Sequence, residues 1–280
     1  MITIAQLMEE GAKKLIAAGI DEPWVHSELI AAFILNKSRT YIRAFNQNLV
    51  SDKQENLFKT ILNEKLKGRP LAHIIGSCEF MGRLYNVSPT VLIPRPETEE
   101  LIEQSLKQLK MSLPKTILDL CTGSGCIAIS LAFLFHNAQI TAADISTEAL
   151  DTALGNARNL NIANKINFIK SDLFENISKT FDFIISNPPY IPTEVIKTLS
   201  PEVLCEPRLA LDGGPDGLAV ISKIADQADN YLNAGGLLAL EIGCGQAPKV
   251  VKFFKEDKWH YPRVVKDFAG IERFVFVRKR

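Results

Sequence analysis

Apolar residues recur at helix spacing from the start of the chain: Ile4, Leu7, Leu15 and Ile16, then Val25, Leu29, Ile30, Phe33 and Ile34, then Leu57, Ile61 and Leu62. Turn-forming residues at 19–23 and 36–40 break the run, so residues 3 to about 68 read as a small helical bundle. The period then changes. Gly76 and Gly82 punctuate runs containing Ile74, Ile75, Phe80, Leu84, Tyr85 and Val87, the pattern of a β-hairpin, and Pro94 and Pro96 close the connector. From Thr98 onward short apolar runs alternate with helix-period segments. Strands are expected at 117–120, 140–143, 166–170, 182–186, 236–242 and 273–277, and helices at 97–110, 126–135, 147–160, 217–232 and near 246–256. This alternation specifies an α/β fold with a mainly parallel, doubly wound sheet. The chain therefore divides into a helical domain at 1–72, a β-hairpin linker at 73–93 and an α/β domain at 94–280.

Composition narrows the class without naming it. The 280 residues suffice for a full core, and 46% hydrophobic with 23% charged residues is ordinary for a folded protein. Lys and Arg total 32, as do Asp and Glu, so no overall positive field gathers phosphates and stable nucleic-acid binding is not expected. The N-terminus carries early acidic residues and no long apolar run, which fits neither a secretory signal nor a membrane span; a cytoplasmic location is expected. Five cysteines, odd in number and without C-x-x-C spacing, read as reduced thiols. The four histidines are scattered, and no metal site is expected.

Two motifs carry chemistry. In Asp119-Leu120-Cys121-Thr122-Gly123-Ser124-Gly125 a buried-type strand runs into a glycine turn that opens a helix, and Asp144 ends the next strand nineteen residues beyond Gly125. Carboxylates at strand C-termini in open α/β sheets accept hydrogen bonds from a ligand's hydroxyl or amino groups. A lone glycine turn is equally a tight strand-to-helix connection, and Ala128 leaves a nicotinamide dinucleotide pattern open. The second motif is Asn187-Pro188-Pro189-Tyr190, directly after the apolar run 183–186. Two prolines stiffen the segment, which suits a recognition clamp, though a Pro-rich turn has the same composition. An amide nitrogen is a poor nucleophile whose N–H2 group gains positive character during methylation. The Asn187 side-chain oxygen and a proline carbonyl, that of Pro188 for choice, can accept from it, while Tyr190 offers a face for a planar group. Asp172 could accept from an adenine amino group or cap a helix. Residues 206–217 form a turn-rich loop that could cover the site or simply build turns, and Glu97 and Glu99 favour the start of the following helix or, as a second reading, line the pocket.

With these motifs assembled, nearly the whole chain resembles the HemK/PrmC family of peptide chain release factor glutamine methyltransferases. The resemblance rests on the helical N-terminal domain, the linker ending in Val91-Leu92-Ile93-Pro94-Arg95-Pro96-Glu97-Thr98-Glu99, the loop 119–128 and the Asn-Pro-Pro-Tyr tetrad. It implies a Rossmann-like class I methyltransferase sheet and S-adenosylmethionine as cofactor. Cofactor contacts are implied at Asp119, Cys121, Thr122, Gly123, Ser124, Gly125, Asp144, Asp172, Leu173 and Asn187. Asn187, Pro188, Pro189 and Tyr190 would hold the glutamine of a Gly-Gly-Gln loop in release factors for methylation at N5. Cys121 stands where many members have glycine, and Leu173 where many have tryptophan. Because adenine-N6 methyltransferases share the tetrad, it marks the chemistry more than the substrate; a ribosomal-protein glutamine, adenine in nucleic acid and a non-catalytic adaptor are the alternatives. The segment 94–99 favours release factors.

Overall fold

In the computed structural model, which describes residues 2–109 and 113–280, the chain forms two units. One runs up to Gly76 and takes in Pro201–Cys205; the other comprises Ser77–Ser200 and Glu206–Arg280. Met1 of the expected helical domain and Lys110, the last residue of the helix expected at 97–110, lie outside the described residues.

The first unit contains helices Ile4–Ala17, Pro23–Leu35, Arg39–Ala44, Asp52–Leu66 and Leu71–Ile75. Thr3 with Gln6, and Ser51 with Gln54, form capping boxes that satisfy the free N–H groups at two of the helix starts. The buried stripe is Ile4, Leu7, Leu15, Ile30, Ile42, Phe58 and Leu62. Gly11 completes it, because a Cβ there would lie 2.6 Å from Ser27 Oγ and 2.7 Å from the Phe58 ring. Ile16, Phe33 and Leu57, read from spacing as part of the apolar pattern, are instead exposed. Ile74 and Ile75, read as part of the hairpin, belong to the short helix Leu71–Ile75, with Pro70 at its N-cap and Gly76 in the left-handed region at its end.

In the second unit the hairpin pairs β1 (Ser77–Phe80) with β2 (Arg83–Asn86). Seven further strands form one sheet: β3 (Thr116–Leu120), β4 (Gln139–Asp144), β5 (Ile166–Lys170), β6 (Phe181–Ser186), β7 (Leu232–Glu241), β8 (Arg263–Lys266) and β9 (Glu272–Arg278). The order is β5-β4-β3-β6-β7-β9-β8, parallel through β7 and antiparallel at β9 and β8. The expected strands are all present. β8 was not expected: four residues with only Val264 and Val265 apolar give too short a signal. The helix expected near 246–256 shrinks to Ala247–Val250 and one tight turn, Val251–Phe253, because the chain turns so that Phe254 and Trp259 meet edge to face inside the core. Helices Pro96–Gln108, Cys126–Leu134, Thr147–Asn159 and Ala219–Tyr231 cover the sheet, and apolar cores lie on both of its faces. The hairpin is tied to this unit, Tyr85 to Ser130 at 3.1 Å and the Asn86 backbone to the Asn156 side chain at 2.7 and 3.0 Å.

Candidate functional site

β3 lies between β4 and β6, the point where the chain's crossovers reverse direction, and a cleft opens outside the carboxyl ends of these strands. The free space in it, together with the open solvent at its mouth, comes to about 1100 Å³, and it is walled mainly by apolar atoms. Cys121, Thr122, Gly123 and Ser124 after β3, Asp144 at the end of β4, Asp172 and Leu173 after β5, and Asn187 and Pro189 after β6 all line it. The sequence motifs thus converge although they span nearly seventy residues.

Six residues singled out from sequence are not on the wall: Glu97, Glu99, Asp119, Gly125, Pro188 and Tyr190. Asp119 is fully buried beneath the turn. Its Oδ2 accepts from Thr122 Oγ1 at 2.6 Å and from the Ala128 N–H at 3.0 Å, which ties the turn to the first residues of the next helix. Among the described residues its Oδ1 finds no hydrogen-bond partner, and burial pushes the carboxyl up to about 7. Gly125 has φ +80°, and a Cβ would sit 2.9 Å from that of Ala153, so this glycine sets how closely helix Thr147–Asn159 approaches the turn. Asn156 of that helix donates to the Ser124 carbonyl at 2.9 Å. Pro188 is buried.

Asp144 reaches the wall with both oxygens engaged: Oδ2 accepts from the Gly123 N–H and Oδ1 from the Ser146 N–H, each at 2.9 Å. Burial raises its carboxyl above the ordinary range, and these backbone donors oppose the shift. Cys121 adopts φ +58° and Leu173 φ +50°, left-handed conformations that cost a side-chain-bearing residue roughly 1–2 kcal/mol. Burial, then the Asp144 charge, raises the Cys121 thiol far above its usual range, so it stays protonated. Asp172 is exposed at the rim, and no helix starts at it.

At the tetrad, Asn187 Nδ2 donates to Thr98 Oγ1 at 3.0 Å, and Thr98 Oγ1 donates to Glu241 Oε2 at 2.8 Å. Tyr190 turns its hydroxyl inward and donates to Glu241 Oε1 at 3.2 Å. Burial pushes the Glu241 carboxyl up to about 7. Thr98 lines the cleft and Glu241 does not. Glu206 pairs with Arg95 and accepts from the Ile93 N–H at 2.9 Å, joining the segment 93–95 to the loop that supplies Pro207, Leu209 and Ala210 to the opposite wall. The rest of that turn-rich loop does not cover the cleft. Gly213 and Gly217 lie against the tetrad backbone, where a Cβ on Gly213 would come within 2.8 Å of the Pro189 carbonyl and of Tyr190 Cα. Gln246 donates to the Tyr190 carbonyl at 2.9 Å and accepts from the Gly243 N–H at 2.7 Å. Sequence reasoning missed Glu241, Glu206 as a partner of Arg95, and Gln246; each is a lone polar residue whose partner lies far along the chain. Thr98 stood inside the segment already noted, without an assigned role.

Strand order and cleft are those of the class I methyltransferase fold, and comparison with known proteins agrees. Residues 100–214 match the methyltransferase small domain family, and residues 6–76 match the PrmC N-terminal domain family. Solved structures with this fold include a methyltransferase from Pyrococcus furiosus, with TM-score 0.53 and 20% identity over 71% of this chain and 90% of that one. The Thermus thermophilus 16S rRNA N2 G1207 methyltransferase gives TM-score 0.53 and 19% identity over 73% of this chain and 50% of that one. Release factor glutamine methyltransferases are much nearer in sequence: that of Moorella thermoacetica is 35% identical over 100% of this chain and 99% of its own. That of Caulobacter vibrioides is 37% identical over 98% and 96%, and that of Thermodesulfovibrio yellowstonii 42% identical over 82% and 84%. The chain belongs to the release factor glutamine methyltransferase family. Among the described residues no helix is long and apolar enough to cross a membrane, and no three His, Cys, Asp or Glu side chains converge as a metal-binding group.

Proposed function

We propose that this protein, in the cytoplasm, transfers a methyl group from S-adenosylmethionine to N5 of the glutamine in the Gly-Gly-Gln loop of peptide chain release factors. The observation that carries the reading is Asn187: it lines the cleft with its N–H2 engaged by Thr98, and among the described residues no donor reaches its Oδ1. That leaves an acceptor facing the space where an amide N–H2 would sit.

The residues fit the cofactor. The cleft in front of Gly123 is open, since a Cβ there would meet nothing closer than 4.0 Å, and the carboxylates of Asp144 and Asp172 stand beside apolar Ile145, Leu173 and Val220. When bound, S-adenosylmethionine supplies a methyl group on a positively charged sulfur. Residues 121–125, Asp144, Asp172 and Leu173 would hold it, with Asp119 keeping the turn in shape from beneath. Asn187, with the backbone of the two prolines, would orient the acceptor nitrogen and stabilise positive charge growing on its N–H2 group. Tyr190 would act through its bond to Glu241 and by packing.

The helical domain at 1–72 would recognise the protein substrate. Trp24, Phe33, Phe45 and Leu49 are exposed there, and ten Lys and Arg against eight Asp and Glu do not mark a nucleic-acid surface. Incubation with radiolabelled methyl donor and, separately, release factor, ribosomal protein or DNA tests the assignment. Label on the glutamine of release factor is expected; label only on one of the other acceptors overturns it.

A further inference from the structure

We propose that Glu241 is a positioning residue that, through Thr98, fixes which end of the Asn187 side-chain amide faces the acceptor. The inference rests on the role assigned above to Asn187 and adds the source of its orientation.

Hydrogen-bond polarity carries the reasoning. An asparagine amide has nearly the same shape with its oxygen and nitrogen exchanged, so only its partners decide which end points where. An exchanged Asn187 would offer N–H2 to an incoming N–H2, two donors facing each other. Its partner is a threonine hydroxyl, with one proton to give, able to donate or accept. A hydroxyl alone does not settle the orientation. An ionised carboxylate does, because it only accepts, and both Glu241 oxygens are met by hydroxyl donors, Thr98 and Tyr190. Glu241 Oε2 therefore takes the Thr98 proton at 2.8 Å, Thr98 Oγ1 is left with lone pairs toward Asn187, and Asn187 must turn its N–H2 to Thr98 at 3.0 Å. Its Oδ1 is thereby directed to the cleft. The other carboxylate oxygen takes the Tyr190 hydroxyl at 3.2 Å, so the same group anchors the far end of the tetrad.

Placement separates this role from a catalytic one. Glu241 is 1% exposed at the end of β7, and it is not on the cleft wall, so no acceptor touches it. A carboxylate at such a point is costly to bury, and the hydrogen bonds from Thr98 and Tyr190 offset that cost. β7 lies beside β6 in parallel register, Ser186 opposite Leu240, so the residue following that pair on each strand is Asn187 on one and Glu241 on the other. Helix Pro96–Gln108 supplies Thr98 two residues after its start.

The test compares Thr98→Val, Thr98→Ser, Glu241→Met and Asn187→Ala in the full chain. Methyl transfer to release factor is followed, with S-adenosylmethionine binding measured by calorimetry as the check that each variant is folded. Losing one stabilising group from a preorganised site typically costs about 10²–10³ in rate. Thr98→Val and Glu241→Met, which leave Asn187 present but unpolarised, are expected to lose roughly tenfold to 100-fold in kcat, within that range or just below it. KM and cofactor affinity should stay within about twofold, and Thr98→Ser should recover at least about tenfold over Thr98→Val, because it restores the relaying hydroxyl. In an Asn187→Ala background Glu241→Met should change the remaining rate by less than about twofold, since both act on one contact. Glu241→Met with near-normal kcat, or the same loss with and without Asn187, overturns the proposal. If Glu241→Met does not bind cofactor, the Thr98 pair decides: equal rates for valine and serine overturn it. Full activity of Asn187→Ala would instead sink the underlying reading of the site.

Discussion

Gly125→Ala and Gly155→Ala make the same chemical change with opposite expected sign. At Gly125 the backbone holds φ +80° and a new Cβ would stand 2.9 Å from Ala153 Cβ, 3.2 Å from Ala153 Cα and 3.2 Å from Ile129 Cδ1. Carbon atoms pack best at about 3.5–4.0 Å, so helix Thr147–Asn159 would have to move away. The left-handed conformation costs alanine roughly 1–2 kcal/mol. Overpacking adds about 1–3 kcal/mol, and the stiffer unfolded chain returns about 0.4–1 kcal/mol. The net loss is of order 1–5 kcal/mol, against a total stability of about 5–15 kcal/mol for an ordinary domain. Gly155 lies inside that same helix with nothing within 4 Å of a built Cβ, and its replacement should stabilise by about 0.4–1 kcal/mol. Urea unfolding of both variants, with calorimetric titration of S-adenosylmethionine, reads the difference. Gly125→Ala should also weaken cofactor binding because the helix and the turn share the Asn156 to Ser124 bond. A Gly125→Ala loss below about 0.5 kcal/mol, or the same sign for both variants, would refute the account of the turn.

Asn187→Ala should lower kcat by about 10²–10³ with cofactor affinity nearly unchanged, whereas Asp144→Ala should chiefly weaken cofactor binding; single-turnover methylation and calorimetry separate the two, and a reversed pattern would contradict the roles assigned. Asp119 is held near 7 in the folded chain against an ordinary 3.8, so the folded state binds its proton more tightly: this contribution to stability is fully present below about pH 4 and is lost as pH rises through 7. Asp119→Asn keeps an acceptor for Thr122 and Ala128 and removes the titration, so the melting temperature of the variant minus that of the wild type should climb between pH 5 and pH 8, roughly the window spanned by those values; a constant offset would argue against a strained carboxylate. Replacing the exposed Trp24 with alanine should raise KM for intact release factor about fivefold, the effect of losing roughly 1 kcal/mol at an interface, while leaving a short Gly-Gly-Gln peptide unaffected; equal effects on both substrates would reject a recognition role for the helical domain. Such a surface change is cleaner than truncation, because Lys65 pairs with Glu202 inside that unit and deleting the first 72 residues strands the glutamate.

Much of the sheet was legible because each central strand is buried on both faces and reads as a continuous apolar run, such as Phe183-Ile184-Ile185 or Leu237-Leu238-Ala239-Leu240. β8 was not, since an edge strand of four residues buries too little to leave a pattern. The first unit shows the complementary failure. Spacing found its long helices but put Phe33 on the apolar stripe, because periodicity cannot tell which side of a helix meets its neighbour when apolar residues surround it. Pro23–Leu35 is such a helix, with apolar residues on every side, and even Ser27 and Glu28 are on its buried side.

At the site, sequence marked the residues at strand ends and missed those that hold them. Asp144 and Asn187 follow apolar runs directly, so their place at the cleft follows from the topology of an open sheet. Stiffness of the tetrad was ascribed to its two prolines, which restrict φ but do not fix where the segment lies. Its position comes from outside. Gly213 and Gly217 admit the backbone of 189–190 at a distance no side chain would allow, and Gln246 closes the layer by donating to the Tyr190 carbonyl at 2.9 Å and to the Gly217 carbonyl at 3.2 Å. Glycines that sequence reading offered as a lid are thus a support for the tetrad. Because they act by lacking a Cβ, their contribution cannot be reduced by small steps: a Cβ at Gly213 would stand 2.7 Å from the Gly217 carbonyl and 2.8 Å from both the Pro189 carbonyl and Tyr190 Cα, so Gly213→Ala must push the layer apart. Displacement there moves Asn187 relative to Asp144 while leaving the Gly123 and Ser146 bonds of Asp144 untouched, so catalysis should fall with cofactor binding retained.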